Sequence, residues 1–488
     1  MPQIDDRRQT IATDDKRNRT ALPQNKPLEP LGSTKDNDKP SLQKAPYREL
    51  LTIGTPIILG QVGVILVSFV DNMMVGRYHT DHFAAASFVN NLFALVYVLG
   101  IGFAYGLTPL VTTAWTQRRA HKAGALLRHS LALNLGLALI SSVVMGALYF
   151  RLDLFNLPPE LAPIARPYYL LQLLSFLLFM AFNALKQYFD GIGKTSVGMW
   201  TIVLANGVNV LFNWLLIYGV AGFPEWGLWG AGIATLFSRV LTLLLVIIYF
   251  FYGQAFRMSV RGFCSMYWSP RNLRRLLKIG IPVGTYSGVE TASFTVALIF
   301  VTQLGKIPLA THQILCVVTT IGFFIYYGLG AATTILVSKY RTLGQLDEAR
   351  RITSAALRLC IAAACLAMSI MFLSKDIIGY LFTDEKAIVE MTAIALIPVI
   401  LYQLGDAIQV LYANALRGME DVTHLAIYAS LTHLVLEPSL AYTFGFCLGI
   451  EDHGLQLTAI WSAFPIGLLL LGLLLRRRFL RVTSLTKA

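Results

Sequence analysis

The sequence predicts an all-α integral membrane protein with twelve transmembrane helices arranged in two six-helix lobes. Three observations support this prediction. The 488 residues are 55% hydrophobic and only 14% charged, with a mean hydropathy of +0.60, whereas about a quarter of the residues in a soluble domain are charged. The apolar residues form runs of about 20, the length that crosses a bilayer. The basic residues cluster in alternate loops between these runs, as membrane insertion favours.

The apolar runs fall into two groups of six. The first six spans are predicted near 50–74, 83–111, 124–150, 162–186, 197–220 and 228–252. The second six are predicted near 275–303, 309–337, 353–374, 388–414, 422–447 and 454–475. The same pattern divides the chain into a disordered polar N-terminal tail at 1–47, an N-lobe at 48–252, a linker at 253–274, a C-lobe at 275–478 and a C-terminal tail at 479–488.

Loop charge predicts the orientation of the chain. Most of the 40 Lys and Arg residues lie in the N-terminal tail, the linker, the C-terminus and the loops on the same side. Basic loops stay in the cytoplasm, so both termini are expected on the cytoplasmic side of the cell inner membrane. This placement also accounts for the net charge of +13 without a nucleic-acid partner.

The two groups of six resemble each other. Ile-Gly-Thr-Pro56 opens the first group, and Ile-Gly-Ile-Pro282 opens the second. The fourth helix of each group ends in a glycine turn, at Gly191 and at Gly418. Because six spans separate them, corresponding helices share one orientation. Parallel repeats of this kind occur in transporters, with the substrate path between the halves.

Three carboxylates interrupt the predicted spans. Asp71, Glu290 and Asp406 each lie in an otherwise apolar helix, where an ionised carboxylate costs roughly 2.5–3.5 kcal/mol on insertion scales. Tyr402 lies one turn before Asp406 on the same helix face. Because these residues make membrane insertion less favourable, their presence indicates a role in binding or carrying an ion or a solute. The sequence therefore predicts a transporter.

Amide and hydroxyl side chains accompany Asp71 in the first half. Asn209 and Asn213 are spaced i, i+4 on the fifth predicted helix, and Thr235 lies on the sixth. Carboxylate, amide and hydroxyl oxygens suit a hard cation such as sodium. Hydrogen bonding from helix to helix explains the Asn and Thr residues equally well, and the spacing does not separate these two interpretations.

Other polar and aromatic residues are weaker candidates. Glu437 is a fourth intramembrane acid and Arg239 is a base deep in a span; a structural pairing, with each other or with other polar groups, is the favoured interpretation. Four aromatic residues are candidates to line a pocket, with a lipid-facing position equally open for each: Phe88, Tyr97, Tyr286 and Tyr326.

Several segments together resemble the multidrug and toxic compound extrusion (MATE) family, especially its NorM-like branch, over about residues 48–478. They are Phe69-Val-Asp71-Asn-Met-Met-Val-Gly76, Asn209-Val-Leu-Phe-Asn213-Trp, Gly230-Ala-Gly-Ile-Ala-Thr235, Gly280-Ile-Pro-Val with Glu290, Ala310-Thr-His-Gln313, Tyr402-Gln-Leu-Gly-Asp406 and Ala415-Leu-Arg-Gly418.

The resemblance implies a MATE/MOP-type fold, with a central cleft between the lobes and alternating access. It also implies a cation-coupling and substrate-binding role for Glu290, Asp406, Tyr402, Asp71, Asn209, Asn213 and Thr235. In one position the chain departs from the family pattern. Asn213 stands where some relatives have a second carboxylate, which lowers the negative charge of the first-lobe site.

These observations predict a secondary active multidrug exporter that exchanges amphipathic, mostly cationic organic compounds for inward-moving sodium or protons. No cofactor and no resident metal are expected beyond a transient coupling ion at the same residues. The expected partners are small amphipathic molecules and the lipid bilayer, and the chain is expected to be a monomer. A flippase for lipid-linked oligosaccharides is the alternative, but that cargo requires a strongly cationic cleft. An intramembrane enzyme is less favoured, because no recognised catalytic motif is present.

Overall fold

The computed structural model describes residues 46–155, 157–265 and 268–485, and its long elements are all helices. The first half contains α1 (Pro46–Tyr78), α2 (Thr80–Ala104), α3 (Leu107–Thr116), α4 (Ala120–Tyr149), α5 (Ala162–Gly191), α6 (Thr195–Ile217) and α7 (Gly227–Tyr252). The short α8 (Arg257–Cys264) leads to the second half, which contains α9 (Pro270–Thr302), α10 (Lys306–Thr342), α11 (Leu346–Leu373), α12 (Lys375–Ile378), α13 (Lys386–Gly418), α14 (Val422–Leu431), α15 (Glu437–Tyr442) and α16 (His453–Leu485).

Short helical segments of other kinds join these elements. Single 3₁₀ turns occur at Leu152–Phe155, Val220–Gly222, Gln254–Phe256 and Gly379–Leu381. Two π-helical turns, Thr432–Leu436 and Thr443–Cys447, flank α15. The predicted eleventh span, 422–447, is therefore one helical path that changes its winding twice.

Within the described residues, ten helical segments are long and apolar enough to cross a membrane, with α2 and α3 together forming one of them. The other two predicted spans correspond to α9 and to the α14–α15 path. The middle of α9 is polar, with Tyr286, Ser287 and Glu290 within two turns, and the π turns divide the α14–α15 path into short pieces. Every predicted span thus has a helical counterpart.

Three predicted segment boundaries differ from the structure. Residues 1–45 of the predicted N-terminal tail lie outside the described residues, but Pro46 and Tyr47 already belong to α1. Helix α9 begins at Pro270 rather than 275, because the Ser269 hydroxyl accepts a hydrogen bond from the backbone of Asn272 at 3.4 Å and proline is favoured in the first helical turn. The predicted linker is also partly helical, since it contains α8.

The predicted C-terminal tail at 479–488 is wrong over its first part, because α16 continues through Leu485. Phe479 and Thr483 are buried, and Arg350 Nε donates a hydrogen bond to Thr483 Oγ1 at 2.8 Å. Hydropathy marks where the chain leaves the membrane, whereas the packing of these residues carries the helix further.

Contacts between the two halves join α1 to α10 and α2 to α9, and they include the end of the bundle where α1 and α9 begin. The backbones come close enough that a Cβ atom on Gly54 would lie 3.4 Å from the carbonyl oxygen of Gly328. A Cβ on Gly106, after α2, would lie 2.9 Å from the Cα of Gly280 in α9. Tyr340 donates a hydrogen bond to Glu49 at 2.9 Å across the same junction. This end of the helix bundle is closed.

The glycine turns predicted from the repeat make equivalent contacts in both halves. In the first half, Thr112 Oγ1 donates a hydrogen bond to the carbonyl oxygen of Gly191 at 2.7 Å. In the second half, Ser338 Oγ donates to the carbonyl oxygen of Gly418 at 3.1 Å. Gly191 allows α5 to approach α3, and Gly418 allows α13 to approach α10 in the same way, so the two halves share one packing arrangement.

A second pair of hydrogen bonds repeats one turn earlier. Thr108 Oγ1 donates to Gln187 Oε1 at 2.7 Å, and Thr334 Oγ1 lies 3.1 Å from Asn414 Oδ1. All four side chains face one small space between the halves. The repeat is thus best preserved where the two halves meet.

We predict that Gly418→Ala destabilises the protein, since the new methyl group would lie 2.8 Å from the carbonyl oxygen of Thr334 and 2.9 Å from Val337 Cβ. Overpacking of this kind costs about 1–3 kcal/mol, which thermal unfolding in detergent would record as a lower Tm. Gly207→Ala is the control, because open space surrounds Gly207 in α6. An unchanged Tm for Gly418→Ala would contradict this packing.

Candidate functional site

A cavity of about 450 Å³ lies inside the first half of the chain. Helices α1, α2, α5, α6 and α7 form its walls, and Asp71, Asn209 and Thr235 line it. Its size is within the usual range for drug-sized ligands. Three of the residues singled out from the sequence therefore face one common space.

Asp71 is held by the amide side chains of α6. Asn213 Nδ2 donates a hydrogen bond to Asp71 Oδ1 at 2.5 Å and lies 3.3 Å from Asn209 Oδ1. Asn213 is fully buried behind the cavity wall. Thr235 joins the group more loosely, because its hydroxyl donates to the carbonyl oxygen of Ala231 in its own helix at 2.9 Å. The structure thus brings the predicted first-half set together.

A polar cluster on another wall of the cavity is absent from the sequence prediction. Tyr168 and Gln172 of α5 both donate to Asn90 Oδ1, at 3.1 and 3.2 Å. Tyr97 donates to Gln172 Oε1 at 3.4 Å. The presence of Asn and Gln within apolar spans is the feature of the sequence that could have predicted this cluster. It gives the cavity neutral hydrogen-bonding groups besides its charged ones.

The aromatic candidates divide between the cavity and the core. Tyr97 lines the cavity, whereas Tyr286 and Tyr326 are buried in the second half. Phe88 packs its ring edge against Phe155 with centroids 6.4 Å apart. Only Tyr97 therefore faces the first-half cavity among these four.

The second-half site surrounds a buried acid. Asp406 in α13 has no exposed surface, and neither of its carboxylate oxygens has a hydrogen-bond partner within the described residues. Gln409, one turn later, donates to Glu290 Oε1 at 3.1 Å and to Tyr286 Oη at 2.7 Å. Tyr402 is also buried, one turn before Asp406. Helices α9 and α13 therefore contribute one acid each to a common site.

Compensating charge is scarce at this site. In the part of the chain that the structure describes, no Lys or Arg nitrogen lies within 4.0 Å of Glu290 or Asp406. A buried carboxylate without a partner is unfavourable unless it is neutralised or binds a cation. The arrangement suits reversible binding of a proton or a small hard cation, whose ligands would be oxygens.

Glu437 extends the acidic site, and its partners are polar side chains of the second half. Its Oε2 accepts a hydrogen bond from Ser293 at 2.6 Å and lies 2.9 Å from Nδ1 of His433. Both His433 and Glu437 are buried, and His433 lies in the first π turn, an element that often occurs at functional sites. Of the two pairings left open by the sequence, Glu437 therefore has the one with other polar groups, because Arg239 lies against Tyr97 of the first half.

His433 was not predicted, although its i, i+4 spacing from Glu437 inside an apolar run was a usable signal. The second half therefore contains three acids in its interior, and the imidazole of His433 contacts one of them, Glu437. The first half contains a cavity with one unpaired acid. The repeated framework carries two chemically different sites.

We predict that cation binding stabilises the folded protein through Asp406. A ligand at ten times its Kd adds about 1.4 kcal/mol to the free energy of unfolding. The measurement is the Tm of thermal unfolding in two series. In one series sodium is added at fixed pH, with choline as the control cation; in the other the pH is varied without sodium. Asp406→Asn should abolish the cation-dependent rise in Tm, while Asp384→Asn in an exposed loop should preserve it. A rise of equal size in Asp406→Asn would place the cation elsewhere.

Comparison with known proteins gives the same division into halves. The protein-family model described as MatE matches residues 56–215 and 282–443. The two matched segments together cover more than half of the chain, and one falls in each half.

Individual relatives cover nearly the whole chain. The multidrug resistance protein NorM of Vibrio cholerae is 26% identical over 432 residues, which are 88% of this chain and 94% of the relative. The multidrug resistance protein PmpM of Pseudomonas aeruginosa is 28% identical over 438 residues, 87% of this chain and 89% of the relative. A solved structure described as the outward-facing conformation of a multidrug resistance MATE family transporter of the MOP superfamily superposes with a TM-score of 0.82. It covers 91% of this chain and 97% of its own at 19% identity, which establishes the two-lobe fold of twelve helices.

Proposed function

This chain belongs to the MatE family, a family of membrane transporters rather than enzymes, and from that premise we propose that it is a secondary active multidrug exporter. It exchanges amphipathic, mostly cationic organic compounds for inward-moving sodium or protons by alternating access. The multidrug resistance relatives NorM and PmpM support the cargo class. The basic loops support an inner-membrane location with cytoplasmic termini, and the chain acts as a monomer.

The observation that carries this proposal is Asp406. Its carboxylate is completely buried and neither oxygen has a hydrogen-bond partner among the residues that the structure describes, while Glu290 is held beside it through Gln409. A structural carboxylate would be fully hydrogen-bonded or paired. One with free oxygens in the interior is ready to take up and release a cation.

Exchange follows from competition for ionised carboxylates. A cationic substrate and a coupling cation both favour ionised carboxylates, so occupancy by one lowers the affinity for the other. One positive charge moving inward across 100 mV releases about 2.3 kcal/mol. That free energy sustains roughly a fiftyfold gradient of a neutral solute, since each 1.4 kcal/mol is a factor of ten.

Alternating access requires the closed end of the helix bundle to open. In the proposed orientation that end faces the cytoplasm. Its contacts are close backbone approaches between glycines, the hydrogen bond from Tyr340 to Glu49 and two apolar clusters that contain buried residues of both halves. Two rigid halves joined by such contacts can rock about the junction, as in other transporters built from repeats.

The competing functions lack a comparable observation. A flippase for lipid-linked oligosaccharides would need a strongly cationic cleft, whereas Asp71, Glu290 and Asp406 supply negative charge at both sites. An intramembrane enzyme would need a nucleophile activated by an adjacent base. The family membership favours transport over this chemistry.

We predict that Glu290→Gln and Asp406→Asn each reduce efflux of a cationic dye from cells at least tenfold. Each amide keeps the size of the side chain but removes the ionisable group that couples transport. Glu451→Gln, in an exposed loop, is the matched control and should retain efflux. The same dye measured in proteoliposomes, with sodium and proton gradients imposed in turn, identifies the coupling ion. Full efflux by both site variants would contradict the proposed mechanism.

A further inference from the structure

Arg239 of α7 faces the first-half cavity and is not used by the coupling mechanism. A cationic side chain in the middle of a membrane-spanning helix is costly, and such residues usually pair with an acid or mark a substrate path. Its role therefore depends on what surrounds its guanidinium group.

Two aromatic rings hold this guanidinium. Its Cζ lies 5.0 Å from the ring centroid of Tyr97 and 4.9 Å from that of Phe179. Nη1 makes one long hydrogen bond, 3.4 Å, to the carbonyl oxygen of Ser175. Aromatic faces stabilise the charge of a guanidinium without using its hydrogen-bond donors. Most of the five N–H donors of Arg239 therefore remain available.

No acid in the described part of the chain takes up these donors. No carboxylate oxygen lies within 4.0 Å of the Arg239 guanidinium in residues 46–155, 157–265 and 268–485. The other base at the cavity, Lys186, is already paired with Asp190 at 2.7 Å. Arg239 is thus the cationic side chain of this cavity that has room for an anionic partner.

The opposite charge lies on another wall. Asp71 belongs to α1 and Arg239 to α7, both line the cavity, and their charges are close enough to interact. Asp71 is positioned by Asn213 from the protein side. A cavity with one acid and one base on separate walls is complementary to a ligand that carries both charges.

We propose that Arg239 is the anion-binding residue of the substrate cavity, so that the transporter selects amphipathic zwitterions over compounds that are only cationic. The cationic group of the substrate binds at Asp71 and its carboxylate binds the free edge of Arg239. This inference rests on the proposed export function and narrows its substrate class.

A matched pair of dyes tests the proposal. Rhodamine 110 carries a carboxylate beside its delocalised cation, and rhodamine 123 is its methyl ester, which lacks the negative charge. The Kd of each dye for the purified full-length protein is measured by fluorescence anisotropy. Hydrogen bonds to charged groups contribute roughly 1.5–3 kcal/mol, so the preference for the free acid should fall tenfold or more in Arg239→Gln. Arg239→Lys should retain part of that preference.

The preference, written as Kd of the ester divided by Kd of the free acid, separates specificity from stability. If Arg239 only braces α7 against α5, Arg239→Gln would weaken both dyes equally and leave the ratio unchanged, which would overturn the proposal. Lys194→Gln is the control, because Lys194 lies over the ring of Phe256 outside the cavity; its ratio should match that of the unsubstituted protein.

Failure of the export function gives a different result. If the unsubstituted protein neither bound nor transported either dye, the proposed function itself would fail. If it bound the ester tightly and the free acid weakly, only the role of Arg239 would be overturned. Tighter binding of the free acid, lost with Arg239, supports the proposal.

Discussion

The structure depends on the cost of keeping carboxylates inside a membrane. Asp406 is fully buried, and within the described part of the chain both of its oxygens lack a hydrogen-bond partner, while Glu290 beside it is hydrogen-bonded by a neutral amide rather than by a base. In a low-dielectric interior such groups cannot remain ionised without a cation. The surrounding helices hold them there, and in the proposed mechanism a coupling cation relieves this unfavourable arrangement when it binds.

The two halves repeat their framework but differ in their interiors. The hydrogen bonds to Gly191 and Gly418 are equivalent and lie where the halves meet, so in the proposed mechanism the repeat supplies the junction about which the halves move. Away from the junction, the first half has a cavity with Asp71 and Arg239, while the second has a compact acidic cluster with His433. Both halves therefore offer carboxylates for which a substrate and a cation can compete, and the first half adds a drug-sized cavity beside its carboxylate.

Much of this organisation could be predicted from the sequence, because hydropathy and loop charge are local properties. The spans, the glycine turns and the placement of Asn209 and Asn213 on one helix face follow from apolar runs, repeat positions and i, i+4 spacing. Two contacts could not be predicted: the position of Arg239 between two aromatic rings, and the hydrogen bond from Gln409 to Glu290. Both depend on how helices that are far apart in the chain pack side by side. The extension of α16 to Leu485 was not predicted for a related reason. Packing, which hydropathy does not report, carries that helix beyond the apolar run.

The central claim is that substrate and coupling cation compete for the interior carboxylates. The most direct test is a calorimetric titration of the purified protein with a substrate dye at several sodium concentrations and pH values. In the cation-saturated range, competition predicts that the apparent Kd rises tenfold for each tenfold increase in the coupling cation, with release of that cation on binding. An apparent Kd that is independent of both sodium and pH would contradict the account.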